Sequence, residues 1–202
     1  MNMFQYAKRI EREQKTTPKI LLDAAEEAMP QVEYRRSFLC AAVAEGLYLY
    51  VAKTLSSDHQ RVRMEKRNNR FSLLHEALNV RERNESYPTH PPSYDMVKLL
   101  LDYGASPNAT SGEVGTSPWL AFMSRALNHT RDGQERWGRQ AGLDYSEAKR
   151  LAALLVSKGA DVEDSEKGRS AVYELFNPQD AEYILSQAPS ALDQRFESML
   201  GF

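Results

Sequence analysis

Apolar residues along this chain of 202 residues cluster at the spacing of helices, and two of the clusters resemble each other. One is MVKLLLDYGASPN, residues 96–108, and the other is AALLVSKGADVE, residues 152–163. Each predicts a leucine-rich helix that stops at a glycine, Gly104 or Gly159, before a short extended piece. Glycine lacks the Cβ that clashes in a left-handed helix cap, so its place at the end of each run is physically apt.

A first helix is expected before each of these, and four segments supply candidates. They begin at Ser37 (SFLCAA), Ser72 (SLLHEA), Ser117 (SPWLAF) and Ser170 (SAVYEL). In each, a serine suited to capping a helix precedes a bulky apolar residue two positions on, with small or apolar residues following. Ser117-Pro118 also puts proline in the first helical position, where its missing N–H costs nothing. The four starts lie 35, 45 and 53 residues apart. The excess falls near 80–94 and near 129–145, two polar and turn-rich stretches that read as surface inserts. At the N-terminus, residues 1–15 predict a charged helix anchored by Phe4, Tyr6 and Ile10. Ile20 to Ala25 predicts a second short helix, stopped by Pro30. At the other end Pro178 opens a helix through Ile184 and Leu185, and Ala191 to Leu200 predicts a last one.

The four segments and the glycine-ended helices resemble the ankyrin repeat, whose signature is Thr-Pro-Leu-His-x-Ala followed by a second helix and Gly-Ala-Asp. The nearest match to its first half is Ser72 to Ala77, with His75 in the histidine place, and Gly46 falls where the family has its inter-helix glycine. The nearest matches to its second half are Gly104-Ala105-Ser106 and Gly159-Ala160-Asp161. The sequence departs from the family in its spacing, set against a period of about 33 residues, and in lacking the histidine in its third and fourth repeats. The run FLCAAVAEGLYLYV, SLLHEAL, MVKLLLDYGASPN, SPWLAFM is also similar to the C-terminal ankyrin-like region of fungal NACHT-type NTPases.

The resemblance implies an all-α solenoid of about four repeats over residues 37–187, with capping helices in 1–36 and 188–202. It implies extended fingers at Arg67–Arg70, Thr110–Glu113 and Ser165–Gly168. Partners would dock on the concave side, where Asn69, Glu76, Asn79, Ser111, Glu113, Ser124 and Lys167 are expected to be exposed. Such a stack offers a long, rigid surface, so little ordering entropy is lost on binding. The expected role is a non-catalytic protein-binding scaffold, placed at the sensing or regulatory end of a larger protein.

Composition changes this picture little. Apolar residues at 42% and charged residues at 27% are ordinary for a globular chain, and a net charge of −2 exerts no general pull on nucleic acid or anionic membrane. No apolar run is long enough to span a bilayer, and the alternating charges of Lys8 to Glu13 are unlike a signal peptide, so a cytoplasmic or nuclear setting is expected. Cys40 is the single cysteine, which excludes an internal disulfide.

Candidate chemistry is sparse. Gly112-Glu113-Val114-Gly115 lacks the lysine of a phosphate loop. Cys40 and His75 occupy equivalent places in successive repeats, too far apart for a nucleophile and its base. His75 is better read as a hydrogen-bonding strut and Cys40 as a small core residue. His59, His90 and His129 are too scattered for a metal site, so neither metal nor cofactor is expected, nor a small-molecule substrate. Two features stand out as binding elements. The stretch 61–70 holds Arg61, Arg63, Lys66, Arg67 and Arg70 against one acid, Glu65, whereas 161–202 is predominantly acidic. This basic finger suits an acidic protein or, as the alternative, a nucleic-acid backbone, although it lacks stacking aromatics. Trp137 lies between Arg136 and Arg139 in the second insert, and tryptophan and arginine are favoured anchors of binding hot spots. The competing reading folds Trp137 back to pin its own loop. Trp119 replaces a core leucine and should be buried.

Overall fold

The computed structural model describes residues 3–14, 22–23, 25, 31–32, 36–58, 72–79, 92–110, 115–131, 144–162 and 168–189. Among these there are nine helices. They are α1 (Met3–Gln14), α2 (Phe38–Ala44), α3 (Tyr48–Ser57), α4 (Leu73–Ala77), α5 (Tyr94–Asp102), α6 (Pro118–Arg131), α7 (Tyr145–Ser157), α8 (Gly168–Leu175) and α9 (Pro178–Ser186). The expectation of helices alone needs one small amendment. Two-residue strands, β1 (Gln31–Val32) and β2 (Arg36–Ser37), pair antiparallel and lead the chain into α2.

The helices fall into two rows. In the inner row α2 packs on α4, α4 on α6, and α6 on α8. In the outer row α3 packs on α5, α5 on α7, and α7 on α9. Residue type follows from this placement. All seven residues of α2 and all five of α4 are buried, because these helices are walled by neighbours on several sides. Outer helices are one-sided: α5 buries Met96, Val97, Leu100 and Leu101 while Asp95, Lys98 and Asp102 face solvent. One continuous core runs from Ala7 and Leu22 through Trp119 to Ile184.

Local chemistry sets the helix ends. The Oγ of Ser37 accepts from the Cys40 N–H at 3.1 Å, and that of Ser117 accepts from the Leu120 N–H at 3.2 Å. Ser72 and Ser93 cap α4 and α5 in the same way. Ser170 does not follow the expectation, for α8 already begins at Gly168 and the serine lies inside its first turn. The second insert also starts later than expected, since α6 continues through His129 to Arg131 and the first helix breaker, Gly133, comes only afterwards.

Helix C-termini repeat a single solution. Gly46 donates to the Val43 carbonyl and Leu47 to that of Ala42. Gly104 and Ala105 make the same pair of bonds to Leu101 and Leu100, and Gly159 and Ala160 make them to Val156 and Leu155. This is the Schellman motif, with each glycine left-handed at φ 74°, 87° and 81°. After α4 the left-handed place is taken by Asn79 at φ 55°, whose N–H reaches the Glu76 carbonyl. Asparagine is, after glycine, the residue most often found in this conformation at a helix end.

The first helix pair is closed by α1, through Phe4 as expected but not through Tyr6. Phe4 stacks on Phe38 with ring centroids 5.1 Å apart, and Phe38 meets Tyr50 edge-on at 6.0 Å. Tyr6, however, is 44% exposed, and the buried contacts come from Ala7 and Glu11. The first residues of α3 have no cap from their own segment, and the Glu11 carboxylate fills that place. Its two oxygens accept from the backbone N–H groups of Tyr50 at 2.9 Å and Leu49 at 3.3 Å. A helix start has several N–H groups without intrahelical partners, and a carboxylate there satisfies them and complements the helix dipole. Replacing Glu11 with alanine should therefore lower stability by about 1–2 kcal/mol. Urea unfolding checks this, and an unchanged midpoint would remove Glu11 from the cap.

Candidate protein-binding surface

Two polar struts tie successive pairs together and so determine which side chains share a face. His75 is fully buried in α4. Its Nδ1 lies 2.8 Å from the Ser72 Oγ and its Nε2 lies 3.0 Å from the Thr116 carbonyl oxygen. A carbonyl only accepts, so Nε2 carries the proton and Nδ1 receives the serine hydroxyl. The ring is neutral. Burial is the main cause holding its pKa below 6.5, with the Thr116 bond acting in the opposite direction. Both ring nitrogens are thus engaged, which removes His75 as a base for Cys40, itself fully buried in α2. The equivalent places in later pairs carry no such strut: Leu120 is half-buried and Tyr173 is 46% exposed.

The second strut is Asn108. Its Nδ2 donates to the Gly159 carbonyl at 2.7 Å, and its Oδ1 accepts from the Asp161 N–H at 2.8 Å. The turn after α5 is thereby pinned to the turn after α7. Between them the chain is locked by the Trp119 N–H, which donates to the Pro107 carbonyl at 3.1 Å. The Trp119 side chain is wholly buried, as expected of a residue standing in for a core leucine.

Charged and aromatic residues knit the outer row. Asp102 at the end of α5 accepts from Lys158 at 2.7 Å, and its carboxyl is held below its usual range by Lys158 and Lys98. Between α7 and α9, Asp180 accepts from Lys149 at 2.6 Å and from the Tyr145 hydroxyl at 2.8 Å. Lys149 and then Tyr145 lower the Asp180 pKa, and the same bond raises that of Lys149. Asn177 caps α9 and also donates to the Tyr145 oxygen. Single exposed ion pairs contribute little to stability, so their role is mainly to set the register of the outer helices.

Of the residues expected to meet a partner, three lie among those described. Ser124 is exposed on α6. Glu76 and Asn79 are not exposed, at 2% and 1%. The correction has a clear cause. Helix α4 is enclosed by α2, α5 and α6, so even its charged residue is covered, while Asn79 is occupied as the left-handed cap. Arg67, Asn69, Ser111, Glu113, Arg136, Trp137, Arg139 and Lys167 lie outside the described residues. So do the basic stretch 61–70, most of the two inserts and residues 190–202 of the final capping segment. His59 and His90 lie there too, and the side chain of His129 is likewise not described. Among the described residues no group of three histidine, cysteine or acidic side chains could hold a metal ion, and no helix is long and apolar enough to cross a membrane.

Two surface grooves accompany this scaffold. One, about 490 Å3 in volume, lies between α1 and the start of α3 and is lined by Lys8, Arg9 and Arg12. Glu11 already occupies the helix N-terminus there, and Arg9 pairs with Glu13 at 2.9 Å. The other, about 340 Å3, runs along the outer row between Tyr94 and Tyr183. Sequence reasoning found neither Asn108 nor this outer groove, because both depend on side chains more than 30 residues apart, whereas the helix caps were visible within a few positions.

Short helices packed in two rows and strutted through backbone turns make this an all-helical fold apart from the β1–β2 pair among the described residues. Residues 69–112, which include α4, α5 and the Gly104 cap, match the ankyrin repeat family. Ankyrin repeats are typically non-enzymatic modules that bind other proteins. No curated protein and no solved structure matches the chain.

Two outcomes follow from the struts. Because the folded-state pKa of His75 lies below its unfolded value, the unfolded chain binds the extra proton first as pH falls. His75's contribution is complete above the unfolded value of 6.5 and is lost below it. Urea midpoints should fall between pH about 7.5 and about 5.5, and His75→Gln, less stable at both, should show a flatter dependence. Asn108→Ala, which removes two inter-turn hydrogen bonds, should cost about 1–2 kcal/mol in the same assay.

Proposed function

We propose that the chain is a non-catalytic protein–protein interaction module built as a solenoid of four ankyrin-type repeats, with a partner docking across its fingers and inner row. The observation that carries this reading is the repetition itself. The pairs α2–α3, α4–α5, α6–α7 and α8–α9 follow one another in two rows, and the outer helices α5 and α7 end in glycine caps with the same pair of hydrogen bonds. The family match falls on the second of these pairs. Such a stack provides an extended, pre-ordered surface, and binding to it needs no titratable pocket.

The docking residues proposed are Ser124 on α6, the finger residues Arg67, Asn69, Ser111, Glu113 and Lys167, and the insert residues Arg136, Trp137 and Arg139. Glu76 and Asn79 are left out because they are buried. A place at the regulatory end of a larger protein of NACHT type rests on the sequence pattern alone. Nucleic acid as partner rests on the basic run at 61–70, and the net charge of −2 weighs against it.

The test is affinity capture from cells of the source organism with the full chain and with a variant carrying alanine for Arg136, Trp137 and Arg139. The expected result is a protein retained by the first and lost from the second, with hydrogen-exchange protection falling on the fingers and α6. Retention that disappears on nuclease treatment and weakens steeply with salt would replace this reading with nucleic-acid binding. Failure to retain any macromolecule would overturn both.

A further inference from the structure

The outer-row groove is lined by residues from three helices. Tyr94 comes from α5, Lys149, Arg150, Ala153 and Leu154 from α7, and Tyr183 from α9. Lys149 and Arg150 are adjacent in sequence and diverge. Arg150 lies over the Tyr94 ring, 4.5 Å from its centroid, and Lys149 lies 5.3 Å from the centroid of Tyr183. The groove thus has a cation and an aromatic ring on each side, with a small apolar floor between them.

The two cations differ in what they still have to offer. Lys149 is already matched by Asp180 at 2.6 Å. Arg150 has no acceptor for its N–H groups among the described residues, and it is exposed. Stacking uses the face of a guanidinium and leaves its edge, where the donors lie in a planar fork suited to a carboxylate. Tyr94 holds that fork in one plane, so less side-chain freedom is lost when it engages an acceptor. No acidic side chain lines the groove.

We infer that this groove binds an acidic peptide segment of a partner protein, with a carboxylate seated on the edge of Arg150 and a neighbouring small apolar side chain on Ala153 and Leu154. The inference rests on the interaction-module reading but adds a second face, on the outer helices and away from the inner row. Charge complementarity favours this occupant over a nucleic acid. The unmatched positive charge on the groove is a single guanidinium, and the exposed residue Asp95 follows Tyr94 in α5. A continuous phosphate backbone would find no second unmatched cation in the groove, whereas one carboxylate needs only the Arg150 fork.

Fluorescence anisotropy of the full chain with a labelled Ser-Ala-Glu-Ala-Ser peptide, blocked at both ends, provides the test, with Ser-Ala-Gln-Ala-Ser as its neutral counterpart. The acidic peptide should bind and the neutral one should not. Arg150→Ala should weaken binding about 10-fold or more with no change in melting temperature, since the residue is exposed. Arg9→Ala, in the groove beside α1, should leave binding unaltered. Equal binding of both peptides, wild-type affinity in Arg150→Ala, or displacement of the peptide by an oligouridylate would overturn the proposal. A captured partner that Arg150→Ala retains undiminished sinks the groove alone. Absence of any captured partner, with the peptide still bound at Arg150, sinks only the broader reading.

Discussion

The structure depends on helices that cannot cover their own apolar surface. Helix α4 has five residues and every one is buried, so it has no solvent-facing side from which to draw independent stability. A helix this short is unstable alone in water, because the first turn costs more order than its hydrogen bonds return. It exists because α2, α5 and α6 enclose it. The same dependence passes down both rows, which makes packing between pairs, more than the propensity of any one helix, the main source of order. The polar struts then decide the alignment. His75 ties the second pair to the start of the third, and Asn108 ties the turn after α5 to the turn after α7.

That division explains which parts could be read from sequence. Ser37, Ser72 and Ser117 as caps, Gly104 and Gly159 as helix stops, and Trp119 as a core residue are all signalled within a few positions, and the structure bears them out. Glu11 was hidden because its partners lie 38 and 39 positions away, and nothing in a charged helix marks one glutamate as a cap for another segment. Tyr6 misled for the converse reason, since an apolar periodicity says which residues could face inward without saying which side the neighbour takes. Asn79 and Glu76 are expected at the surface from the resemblance alone. Their burial reflects enclosure of α4, a property of the whole row. Ser170 failed at a simpler level, because the helix begins earlier, at Gly168.

The candidate surface shows the same contrast. Ser124 could be placed from the repeat pattern, and it is exposed on α6. The cation–ring pairs Arg150–Tyr94 and Lys149–Tyr183 could not, since each joins two helices from different parts of the chain. The inner and outer rows consequently present different chemistry. Inner helices are filled with buried side chains that serve packing, from alanines to Phe38 and Trp119, while the outer helices carry ion pairs and tyrosines on a half-polar face.

The repeated left-handed caps carry a consequence for how the chain can change length. Each glycine-capped helix end satisfies its last carbonyls with N–H groups of the glycine and the next residue, and Asn79 donates likewise after α4, so these helices are finished before the connecting segment begins. Between α2 and α3 the connection is only Glu45–Leu47, whereas between α4 and α5 it spans residues 78–93. Lengthening a connector adds only slowly to the entropy of closing it. Evolution can therefore splice residues between the members of a pair while the ends on either side keep their geometry, which leaves such junctions open to variation that the tightly enclosed helices would not tolerate.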